Sequence, residues 1–535
     1  MANHPAVVER LARLQVDQRR AATAPPGPVL CVAPAGSGKT TTLVARICWL
    51  IDSGVPAGRI TAVTFNRRAA DELEGRIAGA LGEMGGEPTR LRVRTFHALA
   101  REILQDAGEA VEPLVDRMAT LHGVRPGADR AELGRLDTTI SRLKLDLGVT
   151  AAEVTADPEA GPIARVFVAY ERAIAATGGL DFDDLLVRAL GRLERDSALL
   201  ERWRDHCAHL LIDEAQDLDR SQLRLALLLA APANRVFLVG DDDQSIYGWR
   251  LADVRRLLSL AETSLPGLRR VDLVTNFRCP APVIERAVRL IEHNRERFSK
   301  TILARPQASG SLALAGSNAD DTDRIAQVLR AWPDDGGTRA VLARTNRELL
   351  PAAVAAMQLD LPFCAPDLVL PVESEQVDRL LDRAAAAPPA PLLPRVAMAA
   401  HDRATVANVL AWAVGFDDVD GLASAIADTR AALARLRRDD ALLTLATAHG
   451  TKGLEFDHVA VIGLEAGRFP SARSVSEAVE PDRALEEERR LAYVAWTRAR
   501  RSLTLLYDPG APSAFLLEAF SAIELGLPGS GAGAH

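Results

Sequence analysis

Residues 33–41, APAGSGKTT, close the apolar run PVLCVA and open the helical pattern TTLVARICWLI. Strand, glycine-rich loop and helix in that order form a phosphate cradle: glycines let backbone N–H groups face an anion, and the helix N-terminus adds its dipole. Ala35, Gly36, Ser37, Gly38, Lys39, Thr40 and Thr41 are the candidate nucleotide-binding residues. Lys39 can reach the β- and γ-phosphates and the Thr40 hydroxyl can ligate Mg2+. Ala33 stands where the strict pattern has its first glycine. A second apolar run, HLLIDEAQD (209–217), ends on paired carboxylates. Asp213 is the candidate metal ligand and Glu214 the candidate general base for an attacking water, with a solvated acidic strand end as the alternative. A third run, RVFLVG, precedes DDDQSIYGWR (241–250). There Gln244 can sense a γ-phosphate or position water, while Tyr247 and Trp249 can stack bases, and Arg250 follows as a further candidate nucleic-acid contact. For Trp249 taken alone, a place in the core is the competing reading.

Positioning such groups needs parallel sheets, and short β-rich runs do alternate with helical patterns over most of the chain. The first half offers strands at 28–33, 60–65, 91–95, 209–213 and 235–240; the second offers 270–274, 311–315, 339–343, 442–447, 458–463 and 502–507. The predicted fold class is α/β: two parallel-sheet P-loop NTPase cores interrupted by helical stretches. The expected division is a first core at 1–104 and 206–267 with a helical insertion at 105–205. A second core follows at 268–363 and 441–520 with an insertion at 364–440, then a disordered tail at 521–535. Ala384–Pro394, AAAAPPAPLLP, reads as a linker. The chain has 535 residues, enough for several domains. Of its 64 Lys and Arg residues only Lys39, Lys144, Lys300 and Lys452 are lysine, so each retained lysine marks a place for a compact ammonium. Five scattered cysteines with no CxxC suggest neither a disulfide framework nor a zinc site, and no signal peptide or membrane span is legible. A cytoplasmic location is expected.

In order, the motifs resemble the UvrD/Rep family of superfamily 1 DNA helicases over roughly residues 11–510. LQVDQ (14–18) looks like the family's Q motif, implying that Gln18 reads adenine. TFNRRAADELEGRI (64–77) and VRTFHALA (93–100) resemble its single-strand-gripping motifs, implying DNA contacts at Phe65, Asn66, Thr95, Phe96 and His97. DFDDLL (181–186) matches a segment that precedes the acidic strand. TNFRCPAPVIERAVRLIEHNRERFSK (275–300) is similar to motif IV, implying Phe277 on adenine and Arg278 on the γ-phosphate. ATAHGTKGLEFDHVAVIGLEAGRFPS (446–471) implies His449 at DNA and Glu455 at ribose, and EEERRLAYVAWTRAR (486–500) implies Arg498 as a second arginine finger.

The resemblance implies an ATP- and Mg2+-dependent enzyme that moves 3′→5′ on single-stranded DNA and unwinds 3′-tailed duplex, in repair, recombination or replication. ATP would sit between the two cores, with the arginines closing over it. Two departures stand out: Thr41 replaces an arginine that usually sandwiches adenine, and only about 80 residues separate Phe363 from Leu442, which implies a reduced 2B insertion. No room is read after Tyr507 for a nuclease or docking module. The alternative function is therefore a motor or DNA-sensing subunit of a nuclease or antiphage-defence complex; a P-loop kinase or switch GTPase would leave the second core unexplained. A repair or nuclease partner and a monomer or weak dimer are expected. The net charge of −8 argues against a uniformly basic DNA clamp. Residues 269–305 are locally basic, so a narrow single-strand track is expected, relying on stacking as much as on phosphate neutralisation.

Overall fold

The computed structural model describes residues 4–84, 91–157, 159–388, 391–399 and 413–527. The chain divides into two compact units, the first Met1–Phe277 with Asn294–Arg305, the second Arg278–His293 with the remainder from Pro306.

The first unit is built on a six-stranded parallel sheet of β1 (Val29–Val32), β2 (Ile60–Thr64), β3 (Arg92–Thr95), β4 (His209–Ile212), β5 (Val236–Gly240) and β6 (Arg269–Asp272), in the order β3-β2-β4-β5-β1-β6. Alternate residues of one strand face opposite cores: Leu30 and Val32 join one cluster, Val29 and Cys31 the other. A parallel sheet covered on both faces requires such unbroken apolar runs. The sequence reading places strand 270–274 in the second half, but the structure pairs Arg269–Asp272 with β1, Val29 opposite Arg269. Pairing to the phosphate-loop strand is a tertiary choice that periodicity does not carry. The same unit holds the short parallel pair β7 (Thr275–Asn276) and β8 (Leu303–Ala304).

Within the stretch read as insertion 105–205, helices from Arg117 to Thr177 close a small core of their own around Phe167, Tyr170 and Ile140. The following helices Phe182–Arg195 and Ser197–His206 pack instead on the sheet, through Leu186, Leu193 and Trp203. Lys144 joins the two parts. It is buried, and its ammonium contacts Glu171 at 2.9 Å, Asp181 at 3.0 Å and Asp184 at 2.6 Å.

The second unit carries another six-stranded parallel sheet: β9 (Ser311–Gly316), β10 (Arg339–Ala343), β11 (Phe363–Cys364), β12 (Leu443–Thr447), β13 (Phe456–Val461) and β14 (Ala499–Tyr507), in the order β11-β12-β10-β13-β14-β9. Two-residue β11 is too short to register as a sequence pattern. Helices Glu375–Ala386 and Val419–Leu436 build a separate small core with Val377, Leu380, Leu422 and Ile426. The expected linker 384–394 is helical at both ends, within Glu375–Ala386 and Leu392–Ala399, while residues 389–390 lie outside the described residues. The expected disordered tail is ordered through Leu527: Leu525 is buried and its carbonyl accepts a 3.0 Å bond from the Tyr507 hydroxyl. The rest of that tail, 528–535, lies outside the described residues.

Candidate functional site

On the first unit the loop after β1 turns through Gly36 (φ 65°) and Gly38 (φ 83°) into the helix Lys39–Asp52. Positive φ is the conformation that favours glycine, and at Gly38 a Cβ would also stand 2.6 Å from the Gln18 amide nitrogen. That amide donates to the Ser37 carbonyl at 2.8 Å and its oxygen accepts from the Gln15 backbone at 3.0 Å, so Gln18 braces the loop from behind while lining the cavity beside it. From β7, the Asn276 amide donates to the Ala35 carbonyl at 2.6 Å and the Phe277 N–H to the Gly36 carbonyl at 2.9 Å. The buried Ser37 hydroxyl has no hydrogen-bond partner among the described residues. A buried donor left open at a helix N-terminus suits an anion's oxygen.

Lys39 points across the loop, its ammonium 3.8 Å from the Glu214 carboxylate. Glu214 follows β4 in a left-handed backbone conformation (φ 53°), which is costly for a non-glycine residue and turns the chain sharply after Asp213. Gln216 Nε2 donates to Glu214 at 2.6 Å, and Gln216 Oε1 accepts from the Asp241 N–H at 3.0 Å. Asp241 Oδ2 in turn accepts from Gln244 Nε2 at 2.6 Å. The acidic ends of β4 and β5 therefore form one hydrogen-bonded chain, Glu214–Gln216–Asp241–Gln244. Among the described residues no group of three or more His, Cys, Asp or Glu side chains gathers as a metal cage. Thr40 and Asp213 are hard oxygen donors that fit a Mg2+ sharing its sphere with phosphate oxygens and water, its usual habit.

Beside the cradle lies a cavity of about 560 Å3 bounded by Gln18, Gly38, Thr41 and Phe277. Arg10 and Arg13 of the N-terminal segment also line it, Arg10 held by Glu83 at 2.6 Å. The wall that Thr41 leaves without a guanidinium thus has two others nearby, a supply that motif reading does not show.

The aromatic candidates gather on the same unit. Phe65 and Tyr247 stack, with ring centroids 5.1 Å apart and an 8° interplanar angle; Trp249 meets Tyr247 edge-on at 6.1 Å. Arg250 lies over the Trp249 ring at 4.6 Å. Trp249 is 52% exposed, which removes the core reading for it. Asn66 and Thr95 are exposed or half-buried N-caps, accepting from Ala69 at 2.8 Å and Ala98 at 3.2 Å. Phe96 is a correction: only 3% of it is exposed and it packs in the core under the sheet, so its side chain offers no face to DNA. Burial lowers the pKa of its neighbour His97. A residue the motif reading left without a role is Phe182, 57% exposed and edge-on to His97 at 5.6 Å. An apolar ring directly after the capping Asp181 is the signal that could have exposed it.

On the second unit Arg278 donates to Glu455 at 2.7 Å and to the Thr497 carbonyl at 3.2 Å. Arg498 is buried and donates to the Val494 and Leu454 carbonyls, both at 2.9 Å. Motifs distant in sequence thus bring Arg278, Glu455 and Arg498 into one neighbourhood. His449, near Arg344 and Lys452, has its pKa pushed down to about 4, first by burial and then by those two cations, so it is a neutral imidazole at physiological pH.

Residues 14–264 match the model of the UvrD/REP helicase N-terminal domain, and residues 425–509 that of the UvrD-like helicase C-terminal domain. The chain is 31% identical to ATP-dependent DNA helicase UvrD2 of Mycobacterium bovis, over 95% of this chain and 81% of that protein. It is 27% identical to ATP-dependent DNA helicase Rep of Salmonella typhimurium, covering 95% and 94% respectively. DNA helicase II of the same organism is also 27% identical, over 617 aligned positions that take in 93% of this chain and 84% of the relative. An alignment longer than the chain itself means that the relative carries segments absent here. With both halves of its motif set matched, the chain belongs to the UvrD/Rep family and is an ATP-hydrolysing helicase.

Proposed function

We propose that this chain couples ATP hydrolysis to 3′→5′ movement on single-stranded DNA and thereby unwinds 3′-tailed duplex. The observation that carries the reading is that the open phosphate cradle and the row Phe65–Tyr247–Trp249 stand on one unit. The segment 241–250 joins them, its Gln244 tied to the acidic cluster and its Trp249 exposed.

Lys39 and the loop N–H groups hold the β- and γ-phosphates, and Glu214 accepts the proton of the attacking water. Gln244 senses the γ-phosphate, and Arg278 and Arg498 neutralise its developing charge. Phe277 and Gln18 hold the base, and Glu455 the ribose. Thr40 and Asp213 would hold Mg2+, which when bound supplies charge neutralisation at the phosphates. Single-stranded bases stack on Trp249 and Tyr247, with Phe65, Phe182 and His97 continuing the contact surface on the first unit, and His449 is the DNA contact assigned to the second.

The deciding experiment measures ATP turnover with and without single-stranded DNA, alongside unwinding of 3′- and 5′-tailed duplexes. Strong stimulation with unwinding of the 3′-tailed substrate alone is expected. Turnover indifferent to DNA, or unwinding from a 5′ tail, refutes the reading. The missing segments relative to DNA helicase II favour one second reading, a DNA-stimulated motor that needs a partner to open duplex. Stimulated turnover without any unwinding by the chain alone selects it.

A further inference from the structure

We propose that Lys300, assisted by Arg297, is a positioning residue for Gln244: it fixes the Asp241 carboxylate on which the Gln244 amide rests. Asn294–Arg305 is a short stretch of the first unit entered from the second unit at His293 and left to it at Pro306. It delivers a lysine with no exposed side-chain surface into the three consecutive carboxylates that follow β5. Lys300 Nζ lies 2.8 Å from Asp241 and 2.9 Å from Asp243, and it also bonds Asp242. Arg297 grips Asp243 with two parallel bonds, of 2.9 and 2.8 Å, and the Phe298 N–H donates to Asp242 at 2.8 Å.

Five buried or half-buried ionic groups are a costly way to fill space, since apolar side chains of similar volume would stabilise as well or better. What the ions add is a fixed orientation. Asp241 Oδ1 takes Lys300 while its Oδ2 takes Gln244, and its N–H is spent on Gln216. Both carboxylate oxygens and the backbone are thus assigned, and rotation of that one carboxylate would release the Gln244 amide. Burial alone would raise the Asp241 pKa, but Lys300 and then Lys39 draw it below the usual carboxylate range, so it stays an ionised acceptor. Burial and its neighbours Asp241 and Asp243 push Asp242 up to about 6 despite Lys300. Gly240, just before the cluster, has no room for a side chain, because a Cβ would meet Gln216 Oε1 at 2.6 Å.

This inference rests on Gln244 acting at the γ-phosphate, as proposed above. The test is Lys300→Met, assayed for DNA-stimulated ATP turnover after circular dichroism has established folding. The expected result is a loss in kcat of tenfold or more, with KM for ATP changed by less than twofold and no further loss when the change is added to Gln244→Ala. A folded variant with wild-type kcat, or losses that multiply with those of Gln244→Ala, overturns the proposal. Where Lys300→Met does not fold, Arg297→Met keeps the lysine and removes the two bonds to Asp243. A smaller loss of the same kind is then expected, and unchanged kcat overturns it. A wild-type chain without ATP turnover would instead sink the functional reading itself.

Discussion

At the scale of single residues, the phosphate cradle is the most direct consequence of sequence, because glycine, lysine and threonine there act through backbone geometry that a short motif encodes. Lys39→Ala is expected to abolish ATP turnover while leaving the fold intact; a measured kcat near wild type would place the phosphates elsewhere. Glu214→Gln keeps the volume and the Gln216 neighbour but removes the base, so nucleotide binding should persist while kcat falls by about 10²-fold or more. Trp249 and Phe96 separate what motif and burial each report. Both lie in segments that resemble DNA-contacting motifs, yet one ring is 52% exposed and the other 3%. Trp249→Ala should cost about 1–3 kcal/mol of single-strand affinity with little change in thermal stability. Phe96→Ala should do the reverse, destabilising by about 3–5 kcal/mol through the cavity it leaves. Titration of labelled oligonucleotide and thermal melting of the two variants decide between these assignments. Side-chain exposure is a tertiary property, and Phe96 shows why the motif alone could not supply it.

At the scale of elements, the strands buried on both faces were legible, since an apolar run of five residues such as β5 has few alternatives. Pairing partners were not. Strand Arg269–Asp272 reads as the start of a second core until its register against β1 is seen. The helical stretch after Asp106 likewise hid a division between a small bundle and two sheet-packing helices, because helical periodicity does not say which core a face joins. Lys144 was the available hint, one of four lysines and the ionic centre of that junction. A test at this scale concerns the helix Arg220–Ala230, capped by Asp219, which accepts from the Gln222 N–H at 2.8 Å. Burial pushes Asp219 up to about 7, reinforced by Asp183 and Asp146 against the cap bond and Arg256. Its folded pKa therefore lies above the ordinary carboxylate value, so the folded state holds the proton more tightly. The stabilising contribution is complete only below the ordinary carboxylate value, about 4, and is lost as pH rises from there through about 7. Asp219→Asn keeps a capping oxygen without the charge. It should raise the melting temperature most at pH 8, less at pH 5 and little below about pH 4; an equal shift at pH 8 and at pH 4 would show that Asp219 does not titrate with folding.

At the scale of the whole molecule, charge decides how DNA is held. Residues 269–305 are basic in sequence, yet Arg270, Arg278, Arg286, Arg297 and Lys300 each pair with a carboxylate of this chain: Asp272, Glu455, Glu524, Asp243 and the Asp241–Asp243 cluster. Those cations are occupied in organising the two units, and a guanidinium already bonded to carboxylate releases little when phosphate arrives. The expected basic track thus loses much of its charge to internal pairing, while the exposed Trp249 and the stacked Phe65 and Tyr247 keep their ring surfaces. Counterion release scales with the number of phosphates neutralised, with a slope near −0.7 per contact on single strands. Stacking carries no such dependence. Single-strand affinity should therefore fall with salt along a shallow slope of about −2, equivalent to roughly three phosphate contacts. Trp249→Ala should lower that line without tilting it, because the ring contributes affinity and no counterions. Titrations of oligothymidylate between low and moderate salt measure both quantities. A slope steeper than about −5, or one that Trp249→Ala changes, would mean that cations outside the paired set dominate the grip and that stacking is secondary.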